Sequence, residues 1–172
     1  MNFVKILIAG ALAATAMPAA AAAAPVAAPT PATGRALLLV PLTLTKVDDL
    51  DFGTIVTSPS PGVVVIDAAT GARTMFGGVT PVTSDPGRRA RFAGAGTPGQ
   101  AVVVTVTPPL QLTNTAGDAI PVLALTTEGG AIHTIDTVTR AFFFGVGGII
   151  QVNANQPEGV YSANFIVTAN YQ

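Results

Sequence analysis

The chain has 172 residues, with nine acidic residues against eight basic ones and a charged fraction of 10%. Such a weak net charge does not attract polyanions, which argues against a nucleic-acid partner. There is no Cys, so disulfides, thiol catalysis and Cys-based metal sites are excluded. Gly and Pro are plentiful, and Val, Thr and Ile dominate after residue 35, a composition that favours strands joined by turns.

The first 24 residues have the pattern of a secretory signal peptide, predicted as a helix that is removed on export. Lys5 gives a positive start, residues 6–17 are apolar, and small Ala residues follow. A membrane anchor is the alternative, but a spanning helix needs about 20 apolar residues, so we expect no stable membrane span after leader removal. We therefore predict export to the periplasm, the cell surface or the extracellular space.

Residues 25–34 are uncharged and rich in Pro and Ala, which predicts a flexible arm. From residue 35 the pattern changes to strand periodicity, so we predict a single domain over residues 35–172. Leu38, Val40, Leu42 and Leu44 share one face of a first predicted strand. Residues 58–62, with the sequence Ser-Pro-Ser-Pro-Gly, predict a loop.

The rest of the domain alternates between short apolar runs and turn-forming residues. Residues 63–66 and 73–76 predict a hairpin across the turn at 67–71, and residues 161–171 give the clearest period-two pattern. Further strands are predicted at 90–93, 101–107, 110–112, 120–127, 131–135 and 140–152. This pattern predicts an all-β fold, an immunoglobulin-like antiparallel β-sandwich of about seven to nine strands, with a closed barrel as second choice.

Three consecutive Phe residues at 142–144 cannot all face one core, because neighbouring strand residues point to opposite faces. We interpret this strand, together with one face of the first strand, as a candidate subunit contact; burial on both faces within the sandwich is the alternative. The candidate contact residues are Phe142, Phe143, Phe144, Ile149, Ile150, Leu38, Val40, Leu42 and Leu44.

The charged residues predict neither a metal site nor a catalytic site. Asp48, Asp49 and Asp51 form a dense acidic cluster, but Ca²⁺ takes six to eight oxygens and the spacing is not that of an EF-hand, so a solvated turn is favoured. His133 is the sole His, and no G-x-S-x-G motif accompanies it. We expect no enzyme activity and no cofactor.

For two other patterns we prefer a structural interpretation to a ligand-binding one. Arg88, Arg89 and Arg91 could hold a carboxylate or phosphate, or lie on a solvated loop and strand edge. Residues 145–148 are Gly-rich, but no Lys follows and strands flank them, so they predict a bulge or turn rather than a phosphate loop.

Segments 42–56, 66–81, 89–106 and 145–172 resemble the bacterial family called domain of unknown function 4402. The most specific parts are Leu50-Asp51-Phe52-Gly53, Thr70-Gly71-Ala72-Arg73, and Gly159-Val160-Tyr161 with Tyr171. The closing G-x-Y-x-x-x-F-x-V-x-x-x-Y strand is similar to that of chaperone–usher pilins and spore coat protein U-like subunits, which are incomplete sandwiches that take a strand from a neighbour.

The resemblance implies an exported structural subunit of a fibre or coat on a Gram-negative bacterium. Expected partners are copies of itself or related surface subunits, with a periplasmic chaperone as a further one. Residues 36–44 are the candidate donor strand. The alternative is a monomeric periplasmic or extracellular binding module, for which the sequence offers no Trp and only two Tyr for sugar stacking.

Overall fold

The computed structural model describes Thr30, Pro31 and residues 33–172, so the predicted signal helix and most of the predicted arm lie outside the described residues. Residues 37–172 form one compact unit. No helix of the described part is long and apolar enough to cross a membrane. The strands are β1 (Thr43–Asp48), β2 (Ile55–Ile66), β3 (Arg73–Pro81), β4 (Ala90–Ala95), β5 (Ala101–Thr107), β6 (Gln111–Thr113), β7 (Ala119–Thr127), β8 (Ile132–Thr134), β9 (Ala141–Val152) and β10 (Ile166–Tyr171).

The strands form a large sheet and a small one, both antiparallel. The large sheet has the order β1-β4-β9-β2-β3, with β7 also paired to β9 and β6 to β7. Strand β9 is long enough for its first half to pair with β4 and its second half with β2. The small sheet has the order β10-β5-β8. The predicted antiparallel β-sandwich is confirmed, with ten strands rather than seven to nine.

Two clusters of buried side chains form the core. In the first, Phe92 and Phe144 stack with ring centroids 5.3 Å apart, and the ring of His133 lies 5.1 Å from that of Phe144. Fully burying one such apolar side chain stabilises the fold by roughly 1.5–3 kcal/mol. The first cluster contains Ala90, Phe92, Val102, Val104, Ile135, Phe142, Phe144 and Val146. The second contains Val64, Val79, Ile120, Ile150 and Val152.

The predicted hairpin is confirmed, with Val63 opposite Phe76 and Ile66 opposite Arg73. Its turn is built by Asp67, whose Oδ1 accepts hydrogen bonds from the backbone N–H and the hydroxyl of Thr70, both at 2.7 Å. These bonds favour the ionised carboxyl, so the Thr70 hydroxyl and then the Thr70 N–H lower the pKa of Asp67. The residue that closes the turn, Gly71, has φ +76°, a left-handed conformation that suits glycine.

A second turn has the same construction. Asp136 Oδ1 accepts from the N–H of Thr139 at 2.7 Å and from its hydroxyl at 2.9 Å. The pKa of Asp136 is lowered, first by the Thr139 N–H and then by its hydroxyl. Here Arg140 stands in the place of the glycine, with φ +58°.

Three sequence predictions need correction. The first strand begins at Thr43 rather than at residue 38, because β4 ends opposite Thr43 and offers the preceding residues no partner. Residues 58–62 are not a loop between strands. They lie within β2, where the pairing jumps from Thr57–Val79 to Gly62–Gly77. The last strand begins at Ile166 rather than Tyr161, and before it only Ser162 forms an isolated bridge, to Thr113.

Candidate functional site

Two outer strands border an open side of the sandwich. Within the described residues, β1 pairs only with β4 and β10 pairs only with β5, so each has one unpaired edge. Their inward side chains pack against the first core cluster but are only half-buried, unlike the residues at its centre. These half-buried residues are Leu42, Leu44, Phe165, Val167, Ala169 and Tyr171. The two sheets are therefore not joined by a hydrogen-bonded ladder on this side.

The direction of the β10 hydrogen bonds shows which groups lie on its unpaired edge. The N–H of Gln172 donates to Ala101 O at 3.0 Å across the β5–β10 pair. Because bonded and non-bonded positions alternate along an antiparallel strand, the backbone groups of Tyr171, Ala169 and Val167 face away from β5. This edge presents unused donors and acceptors beside an apolar surface.

A groove runs along this open side and widens at one end. Its narrow part, about 420 Å³, lies between Leu44 on β1 and Phe165 and Val167 on the other bank. Its wide part has a volume of about 750 Å³ and is floored by inner-face residues of the large sheet, such as Val122 and Ile150. The two parts share Leu50, Ala163 and Phe165 in their walls. We call the whole feature, lined by these residues, the seam groove.

Residues 153–165 form one bank of the seam groove without regular secondary structure. Gln156 is buried, and its Nε2 donates to Ala119 O at 3.2 Å and to the Tyr161 hydroxyl at 3.0 Å. The Tyr161 hydroxyl in turn donates to Pro157 O at 2.8 Å. The bank is thus held in place by side-chain hydrogen bonds rather than by a ladder.

At the narrow end of the seam groove, Tyr171 fixes the start of the domain. Its hydroxyl donates to Val40 O at 2.7 Å and accepts from the N–H of Thr97 at 2.8 Å. The Thr97 hydroxyl accepts from the N–H of Val40 at 2.8 Å. A Cβ on Gly96 would overlap the Tyr171 hydroxyl, so glycine is needed for this approach. Both backbone groups of Val40 are therefore held, the carbonyl by Tyr171 at the end of β10 and the N–H by Thr97 in the loop between β4 and β5.

Arg73 supports the wall of the wide part of the seam groove that Phe52, Gly53 and Thr54 form. Its guanidinium donates to Phe52 O at 3.0 Å, Thr54 O at 3.1 Å and Val82 O at 2.9 Å. Gly53 has φ +70°, and a Cβ there would lie 2.5 Å from the Arg73 guanidinium. This contact brings Leu50-Asp51-Phe52-Gly53 and Thr70-Gly71-Ala72-Arg73 together in space.

Arg89 plays a similar part at the Asp67 turn. It donates to the carbonyl oxygens of Ala68 and Ala69 and pairs with Glu128 at 2.9 Å. Glu128 also accepts from the N–H of Gly145 at 3.0 Å, which links the turn to β9. The prediction of a bulge or turn at residues 145–148 is therefore wrong: they are a continuous part of β9. Glycine occurs there because a Cβ on Gly145 or Gly147 would overlap the carbonyl oxygen of Ala68 or Ile66.

Six other charged residues form three ion pairs. Arg88 lies 3.7 Å from Asp51, Arg91 lies 3.7 Å from Asp48, and Lys46 pairs with Asp49. In the described part of the chain, no group of three or more potential metal ligands is present. His133 lies in the aromatic stack, with Nε2 3.1 Å from Gly130 O.

The structure places the candidate contact residues in different environments, from the buried core to the exposed surface. Phe142, Phe144 and Ile150 are buried in the core, and Ile149 is half-buried on the outer face of the large sheet. Phe143 is 67% exposed. Leu42 and Leu44 line the open side, and Leu38 and Val40 are exposed just before it. Sequence reasoning did not find the bank at 153–165 or the Tyr171–Val40 contact, because neither has a local sequence pattern.

A family model described as domain of unknown function, DUF4402, matches residues 42–171. The chain belongs to this family. The match covers β1 to β10, including both banks of the seam groove and the residues that contact Arg73. No curated protein and no solved structure gives a significant match.

Proposed function

We propose that the chain is an exported, non-enzymatic structural subunit of a bacterial surface fibre or coat, assembled when a strand from a neighbouring copy adds at the seam groove. The observation that carries the proposal is a pair of unpaired strand edges, β1 and β10, bordering one apolar groove. An incoming strand would gain main-chain hydrogen bonds from the edge and specificity from side chains placed in the groove.

The ionisable side chains described above are consistent with a structural role. Arg73 and Arg89 bind backbone carbonyls, and His133 belongs to the core stack. The pKa values of Asp67 and Asp136 are lowered by hydrogen bonds within their own turns. None of these groups faces a neighbouring nucleophile or base in a shared cleft, which is the arrangement that catalysis would need.

A second candidate function is a monomeric periplasmic or extracellular binding module. The wide part of the seam groove favours it, because a volume of about 750 Å³ is within the range of small-molecule sites. This function would be favoured over the first if small apolar compounds bind the monomer at this site and the protein does not assemble under any condition.

The first test is to express the full chain with its own leader in a Gram-negative host and to analyse the periplasmic and surface fractions by SDS gel, with and without boiling. We expect a ladder of oligomers that collapses to monomer on boiling, because strand addition survives detergent but not heat. A monomer in both lanes, and a monomer by size-exclusion chromatography, would overturn the proposal.

A single substitution can test the unpaired edge of β10 without disturbing the fold. Ala169→Pro removes an N–H that faces away from β5, so β10 stays paired with β5 in the monomer while the incoming strand loses a hydrogen bond. We expect fewer oligomer bands on the unboiled SDS gel and a folded monomer by circular dichroism. Ala169→Val keeps the N–H and should leave the oligomer bands unchanged. Equal oligomer bands from both variants would contradict edge pairing by β10.

A further inference from the structure

Leu37, Leu38, Leu39 and Val40 form a run of large apolar side chains that are all exposed, Leu38 at 85%. Alternate side chains of an extended segment share a face, so such a run can place two side chains into an apolar groove. Four consecutive exposed apolar residues on a soluble domain usually indicate a contact surface. In this chain they directly precede β1, which stays in its own sheet.

The donor segment can be narrowed from the structure. Residues from Thr43 onward pair with β4, and Leu42 and Leu44 pack against the first core cluster of their own domain. Lending them to another copy would break that pairing. Val40 is held by Thr97 and Tyr171 of its own domain, so the segment that can be lent is Arg35–Leu39, whose five extended residues span about 17 Å.

The seam groove carries charge at its wide end. Asp85 and Glu158 line this end, and neither belongs to an ion pair within the part of the chain described. In the narrow part, the charges of Lys46 and Asp49 pair with each other. A cation on an incoming strand is therefore favoured at the wide end, beside Asp85 and Glu158.

We propose, resting on the proposed function, that the occupant of the seam groove is the segment Arg35–Leu39 of a second copy. It lies along β10 with Arg35 at the wide end, beside Asp85 and Glu158, and with Leu39 toward the narrow end. Arg35 is exposed and lies two residues before the apolar run, so charge and apolar surface of the segment match those of the groove in order.

The absence of Cys makes a cross-linking test clean. Ala36→Cys in one copy and Val160→Cys in the other leave every charge in place and put the thiols at the wide end. Val138→Cys is the matched control, because Val138 and Val160 are both 86% exposed and Val138 lies in the Asp136 turn. After co-expression of the full chains and oxidation, we expect roughly ten-fold more mixed dimer with Val160→Cys, because a bound segment has a high effective concentration.

The outcomes separate this inference from the proposed function. A boiling-sensitive ladder with equal cross-linking to positions 160 and 138 would overturn the assignment of Arg35–Leu39 and leave strand addition standing. No ladder and no selective cross-link would overturn both. A selective cross-link within a ladder supports both.

Charge reversal tests the orientation of the segment. Glu158→Lys should lower the yield of the Ala36–Val160 cross-link by about two- to five-fold at low salt, the size expected of an exposed ion pair. Combining it with Arg35→Glu should restore the yield, and added salt should remove the difference. Yields that do not depend on either charge would overturn the placement of Arg35 beside Glu158.

Discussion

Two regions of the sandwich are joined in opposite ways. Around Arg73 and Arg89, guanidinium groups bind carbonyl oxygens from several loops, so distant stretches of chain are fixed by polar contacts, including the 52–54 wall of the seam groove. Between β1 and β10, half-buried apolar side chains pack without a hydrogen-bonded ladder, and the hydrogen bonds of Tyr171 and Thr97 hold only one end. Polar contacts fix the first region, whereas the second leaves apolar surface and two strand edges unpaired.

The largest expected effect is in the first region. Arg73→Ala removes the charged donor of three carbonyl oxygens, of which only Thr54 O and Val82 O keep a backbone N–H, so we expect it to lower the free energy of unfolding by roughly 1.5–3 kcal/mol. Urea denaturation of the monomer measures this. Arg88→Ala is the control, because Arg88 is exposed and has one ion pair at 3.7 Å, and it should cost about 0–1 kcal/mol. Similar losses from the two variants would mean that the Arg73 contacts do not join the loops as described.

A smaller effect is expected at the narrow end of the seam groove. Tyr171→Phe removes the hydroxyl that holds Val40 and Thr97 and should cost about 1 kcal/mol. Its specific signature is faster amide hydrogen exchange at Val40. Tyr161→Phe removes the other Tyr hydroxyl, which lies on the 153–165 bank, and should leave exchange at Val40 unchanged. Equal acceleration by both variants would show that the Tyr171 hydroxyl does not hold the segment.

The smallest effect is a pH dependence from the two similar turns. Folding lowers the pKa of Asp67 and of Asp136, so their stabilisation is present above the unfolded value of about 3.9 and is lost as the pH falls through the lower folded value. We expect urea midpoints to fall below about pH 4, and less so in Asp67→Asn and Asp136→Asn.

Salt distinguishes the two turns. The cation of Arg89 contributes to lowering the pKa of Asp67, whereas the causes for Asp136 are hydrogen bonds alone. Added salt should therefore reduce the acid sensitivity that Asp67 contributes more than the part from Asp136. Salt effects of equal size on the two single variants would contradict this difference.

The sequence predicted the parts of the fold that depend on local patterns. The hairpin across Asp67 and the inward side chains of β10 follow from turn chemistry and period-two alternation. The bulge at residues 58–61 was mistaken for a loop, because Pro and Gly indicate a break in a strand without showing whether pairing resumes with the same partner.

The candidate site was harder to predict because its contacts are distant in sequence. Tyr171 and Val40 are separated by 131 residues, and nothing in either local pattern indicates that they meet. Arg73 binds main-chain oxygens, which carry no sequence signature, so its role appears only when the loops are placed in space. Of the predicted contact residues, those on β9 were ambiguous because alternation does not say which face is covered.

The bulge in β2 also bears on aggregation. Strand β3 is the outermost strand at the other end of the large sheet, and a flat, unpaired edge there would be a template for uncontrolled stacking of copies. Residues 58–61 bend β2 away, and Gly77 in β3 takes φ +78°, so the edge beside them is kinked rather than flat. The edge at β3 is therefore a poor template for stacking, which under the proposed function would confine strand addition to the seam groove.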